Sequence, residues 1–262
     1  MTAATTTGRP APNGDAPIGT GSTGTRVLGV LALVGVGALL LFGLVWSPDD
    51  RVQGDAVRIM YVHVPPAILM YIAFFVTAAG SIAYLWKKSR FWDLVAAASA
   101  EIGCVFTAMA LVTGMLWGRI TWGVYWVWDA RLTSTALLLL LFLGYLAVRR
   151  IPADPAVRSK RAAIVALIAI VDVPIVHYSV DWWRSVHQPA TISRLDPTIE
   201  GLMLFTLMLG IVVFAVLYAW MLIHRFRLEY LREQVAETGL SHALDERRAE
   251  ASLPVATAGG AR

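Results

Sequence analysis

Trp117-Gly118-Arg119-Ile120-Thr121-Trp122-Gly123-Val124-Tyr125-Trp126-Val127-Trp128-Asp129 places four tryptophans within twelve residues. Apolar runs flank it at 94–116, where Glu101 is the single charge, and at 132–148, which has none. Indoles favour the membrane–water interface, so a tryptophan-rich connection between two such runs reads as the turn between two membrane helices. Working outward, four more runs at 27–46, 60–85, 162–180 and 201–223 approach the roughly 17–25 residues that a spanning helix needs. The expected fold is an all-α integral membrane protein with six transmembrane helices and this loop between the third and fourth. Composition agrees: 57% of the 262 residues are hydrophobic and 15% charged, against about 25% charged in a soluble domain.

Outside the spans, residues 1–25 are rich in Thr, Ala, Gly and Pro and read as a disordered cytoplasmic tail. No convincing cleavage site follows them, so the first helix is expected to be retained. Residues 26–224 then form the membrane domain, with the tryptophan loop at 117–131, and 225–262 a cytoplasmic C-terminal tail. There charge alternates with Leu228, Leu231, Val235, Leu240 and Leu244, as in a solvated charged helix. A pI near 9.4 would suggest nucleic acid for a soluble chain. Here the basic residues sit at membrane flanks, and no nucleic-acid partner is expected. Cys104, the single cysteine, excludes an intramolecular disulfide, a Cys-x-x-Cys pair and a Cys-x-x-Cys-His haem attachment site.

Lys and Arg set the orientation. Eight basic residues crowd the loops after the second and fourth spans: Lys87, Lys88, Arg90, Arg149, Arg150, Arg158, Lys160 and Arg161. Six are spread over the three longer ones: Arg51, Arg58, Arg119, Arg131, Arg184 and Arg194. This predicts cytoplasmic termini and outward-facing first, third and fifth loops. Seven of the ten tryptophans then share the outer face, leaving Trp86, Trp92 and Trp220 on the other.

An interfacial belt decorates both surfaces, so this asymmetry favours an aromatic wall for a planar apolar ligand. Two histidines share that face. His63 lies in Tyr61-Val62-His63-Val64-Pro65-Pro66, where the prolines direct the emerging helix, and His187 follows Trp182, Trp183, Arg184, Ser185 and Val186. Two neutral imidazoles suit the axial positions of haem iron. A zinc site is disfavoured, because thiols, further outer histidines and a His-x-x-x-His repeat are all missing from this face. His177, inside the fifth span, competes with His187 for the second position. Two readings stand for Asp129 and Arg131: a helix start with a snorkelling arginine, or Arg131, with Arg58 or Arg119, holding haem carboxylates.

The string from Trp117-Gly118 to Trp128-Asp129-Ala130-Arg131-Leu132-Thr133-Ser134 resembles the tryptophan-rich WWD domain of haem-handling proteins. Tyr61-Val62-His63-Val64-Pro65 and Pro174-Ile175-Val176-His177-Tyr178-Ser179-Val180-Asp181-Trp182-Trp183, followed by His187-Gln188, resemble the cytochrome c maturation protein C (CcmC) family. The likeness covers nearly all of 27–225. Tyr125 stands where the family often has Trp, and Asp172 where an uncharged polar residue is expected; Asp172 and Glu101 are costly intramembrane acids, each expected to have a partner or to be protonated.

The resemblance implies a component of system I cytochrome c maturation in the bacterial cytoplasmic (inner) membrane, its functional face periplasmic. It implies haem b as transient cargo, with His63 and His187 as axial ligands. Trp117, Trp122, Tyr125, Trp126, Trp128 and Asp129 would form a platform for haem and for the periplasmic haem chaperone, protein E, supported by Trp182, Trp183 and Gln188. The other implied partners are the ATP-binding cassette (ABC) proteins A and B, the small membrane protein D and membrane lipid. On this reading the protein presents haem and is not an enzyme. The alternatives are a haem lyase or synthetase of the larger WWD type, disfavoured by the length, and a haem-exporting permease.

Overall fold

In the computed structural model, residues 21–187, 199 and 201–251 are described. They form α1 (Thr23–Leu41), continued by a π-helical turn at Phe42–Trp46, a 3-10 turn at Asp55–Ile59, α2 (Met60–Lys87), α3 (Arg90–Thr121), α4 (Ala130–Arg150), α5 (Pro155–Ala169), α6 (Asp172–Trp182) and α7 (Gly201–Ala251). Among the described residues the chain makes six helical passages long and apolar enough to cross a membrane, α5 and α6 forming one of them. An all-helical membrane architecture follows, since in lipid a helix satisfies its own backbone polar groups. Leu33, Val34, Phe75, Val112, Leu140, Ile168 and Val212 are exposed on its perimeter, as lipid contact requires.

The ends follow from sequence chemistry. Ser22 and Thr25 make a reciprocal capping box that starts α1 at Thr23. The assigned tail otherwise lies outside the described residues up to 20, as do residues 252–262 of the C-terminal one. Asp154 caps α5, with Pro155 at the first helical position where its missing N–H costs nothing. Lys88 ends α2 in the left-handed conformation (φ 53°).

The fifth passage is not one straight helix. Pro174 has no N–H for the Ile170 carbonyl, and its ring crowds that carbonyl. The α-helix stops at Ala169, the Val173 N–H reaches back only three residues to Ile170 (3.1 Å), and α6 restarts at Asp172. Prolines also sit within α2, at Pro65 and Pro66. Pro65 frees the Tyr61 carbonyl, which faces α7 at Gly210; a Cβ there would lie 3.0 Å from Pro65 Cγ and 3.3 Å from that oxygen. Glycine thus lets α7 approach closely, as small residues do at membrane helix contacts.

α2 is central, packed along α3 and touching α5 and α7, with α1 on α7 and α4 against α3, α5 and α6. Phe74 of α2 stacks on Phe142 of α4 at 3.8 Å, both fully buried. At the end away from the tryptophan loop, buried Asp93 accepts both terminal nitrogens of Arg149 (2.6 and 3.0 Å) and pairs with Arg90. Arg90 also donates to Ser159 (2.7 Å) and, with Arg158, holds Glu233 of α7. One ionic cluster therefore ties α3, α4, α5 and α7 together and fixes where α7 leaves the bundle.

Candidate functional site

The 47–59, 122–129 and 183–187 segments meet at one end of the bundle. His63, one turn into α2, is half-buried, and its Nδ1 lies 3.1 Å from the Thr113 hydroxyl of α3. Trp117, one turn further along α3, meets the imidazole edge-on at 5.7 Å between ring centres. Its indole N–H donates to Gln53 Oε1 at 2.7 Å, so the first connection braces the wall beside His63.

His187 arrives from the other side. Its ring contacts Trp122 edge-on at 6.2 Å, and its backbone N–H donates to the Ser185 hydroxyl at 3.0 Å. Ser185 in turn donates to Asp129 Oδ2, while Asp129 Oδ1 caps α4 by accepting from the Leu132 N–H at 2.8 Å. One carboxylate thereby fixes both the start of α4 and the position of the His187 segment. Exposed His177 instead packs against Tyr71 (6.1 Å) and Tyr178 (4.8 Å).

The other aromatic residues divide by exposure. Trp126 and Trp128 meet edge-on at 5.5 Å, Trp128 standing 83% exposed. The Trp126 indole N–H is buried with no acceptor among the described residues. Trp182 stacks with Tyr178 at 5.4 Å and meets Trp183 edge-on at 5.8 Å, both tryptophans being exposed. Gln188 lies outside the described residues. Gly123 (φ +78°) makes the left-handed bend that turns the chain after Trp122 back toward α4.

The three arginines are placed differently. Arg58 donates to Asp49 (2.9 Å), Asp55 (2.8 Å) and the carbonyls of Gly43 and Leu44, and beside it the exposed Asp49 carboxyl is held below the usual carboxylate range. Arg131 clamps α4 to α6 through the His177 carbonyl (2.9 Å) and Ser179 Oγ (3.1 Å). Exposed Arg119 engages the Gly123 carbonyl and lies 5.7 Å over the Tyr125 ring. Since a guanidinium has five N–H donors, Arg119 retains donors facing solvent.

The two intramembrane acids do not share an environment. Glu101 pairs with Arg225, whose Nη2 lies 2.8 Å away, near the cluster end. Asp172 is buried at the break between α5 and α6, one oxygen without a partner among the described residues. Sequence reasoning passed over Gln53, Thr113 and Ser185, ordinary polar residues whose importance lies in the side chains they reach. Among the described residues no three His, Cys, Asp or Glu side chains converge where they could hold a metal ion.

Residues 18–241 match the family model described as CcmC, heme exporter protein C. Heme exporter protein C of Haemophilus influenzae is 42% identical over 205 residues, covering 78% of this chain and 82% of that one. That of Bradyrhizobium diazoefficiens is 39% identical over 222 residues, 83% and 84% of the two chains, and that of Escherichia coli K12 41% over 202, 75% and 81%. The match takes in every helical passage and both histidine-bearing segments, and the chain belongs to the CcmC, heme exporter protein C, family.

Proposed function

We propose that this protein holds haem at the periplasmic face of the bacterial inner membrane, between His63 and His187, and presents it to a periplasmic haem chaperone without catalysing a covalent step. The observation that carries this reading is two imidazoles from different segments at one end of the bundle, each edge-on to a tryptophan of the same tryptophan-rich stretch, Trp117 and Trp122. The relatives' name, heme exporter protein C, supports haem as cargo. Both termini would be cytoplasmic, as the distribution of Lys and Arg favours.

Each group has a part in presentation. Neutral imidazole nitrogens donate to iron, and the indoles offer flat apolar surface to the porphyrin. Arg119, exposed and, among the described residues, bonded only within its own turn, is the best placed of the three arginines for a haem carboxylate, while Arg58 and Arg131 shape the site through bonds to other segments. The buried Trp126 N–H fits a ligand that brings an acceptor. Exposed Trp128, Trp182 and Trp183 suit a surface that a chaperone covers. The wider assembly would contain chaperone protein E, ABC proteins A and B and small membrane protein D.

Titrating the haem-free protein in detergent with ferric haem tests the reading. The expected result is saturation at one haem per chain with a sharp low-spin Soret band. Linear, non-saturating uptake with the broad band of haem dissolved in micelles would refute it.

A further inference from the structure

We infer that Thr113 is a positioning residue that fixes which nitrogen of His63 is offered to iron. This rests on the proposed role of His63 as a haem ligand. The Thr113 hydroxyl has one proton, and it is committed to α3: Oγ1 lies 2.7 Å from the Met109 carbonyl and 3.3 Å from that of Ala110. With that proton on the 2.7 Å Met109 bond, its lone pairs face His63 Nδ1 at 3.1 Å, and the contact is then a hydrogen bond in which Nδ1–H donates. A neutral imidazole has one N–H, so Nε2 is then the bare, donating nitrogen.

Two neighbours on the same face of α3 complete the setting. Gly114 leaves room for the ring: a Cβ there would come within 3.0 Å of His63 Cε1. Trp117, anchored by Gln53, limits the tilt. Thr113 therefore sets the tautomer, Gly114 the approach and Trp117 the orientation. A bond from Nδ1–H also raises the basicity of Nε2, and losing such an outer partner typically costs about 10- to 100-fold in metal affinity.

The test compares the parent with Thr113→Val, which keeps the shape and removes the acceptor, Thr113→Ser, which restores it, and His63→Ala. Haem affinity, the low-spin share of the visible spectrum and the midpoint potential are read for each. Thr113→Val should weaken haem binding about 10- to 100-fold, lower the low-spin share and move the potential positive, with Thr113→Ser close to the parent. If Thr113→Val matches the parent in all three while His63→Ala loses the bis-histidine spectrum, the inference fails and His63 keeps its role. If His63→Ala itself matches the parent, the ligand reading fails and takes the inference with it. A second measurement needs neither haem nor a Thr113 variant. In the 15N-histidine spectrum of the haem-free parent, with His63 assigned by its loss in His63→Ala, Nδ1 should be protonated and Nε2 bare. The opposite tautomer would overturn the inference.

Discussion

Removing the Asp129 carboxylate should loosen both the start of α4 and the segment that carries His187. Oδ1 caps the helix through the Leu132 N–H at 2.8 Å, and Oδ2 accepts from Ser185, whose oxygen accepts the His187 N–H at 3.0 Å. Loss of an N-cap costs about 1 kcal/mol. A hydrogen bond to a charged group contributes about 1.5–3 kcal/mol, and partial exposure of Asp129 reduces that to about 1–2 kcal/mol. Asp129→Ala should therefore cost about 2–3 kcal/mol, and Ser185→Ala about 1–2 kcal/mol. The double variant should fall short of additivity by about 1–2 kcal/mol, because the two residues share one bond. Unfolding in mild detergent, titrated with a denaturing one, measures all four corners of this cycle. A coupling energy within about 0.3 kcal/mol of zero would refute the claim that one carboxylate ties α4 to the His187 segment.

Three further expectations concern the frame around the site. Gly103→Ala would place a Cβ 2.6 Å from Phe74 Cε1, and Phe74, stacked on Phe142 at 3.8 Å, has little freedom to yield; unfolding should show a loss of about 1–3 kcal/mol. Asp93→Ala would strand Arg149 and Arg90 without their shared carboxylate, a loss of about 3–5 kcal/mol for a broken buried pair that unfolding would again report. Trp117→Phe keeps an aromatic ring against His63 but drops the indole bond to Gln53. It should cost about 1 kcal/mol, with Gln53→Ala adding little on top of it, as a double-variant cycle would show.

Much of the fold is legible in the sequence because long apolar runs in lipid have essentially one solution. The break in the fifth passage is legible in hindsight: Pro174 points four residues back to Ile170, while hydropathy, which averages over the whole run, passes across it. That α7 runs unbroken from Gly201 to Ala251 is less visible, since its character changes from apolar to charged and Gly239 within it reads as a stop, although no proline interrupts it. At the candidate site, tryptophans and histidines stand out by rarity, and the structure brings His63, Trp117, Trp122 and His187 to one end of the bundle. Sequence cannot tell an arginine that faces a ligand from one consumed by the fold. Arg58 and Arg131 are held by acids and carbonyls whose proximity exists only after folding. Thr113 and Ser185 are invisible for the converse reason, being common residue types whose significance is a single contact each.

The most direct measurement is the visible absorption spectrum of the purified protein, expressed with ample haem, beside His63→Ala and His187→Ala. The account predicts a low-spin bis-histidine spectrum in the parent, shifted or lost in each variant. A parent without haem would contradict it, and so would a His187→Ala variant with an unchanged spectrum, which would move the second ligand to His177.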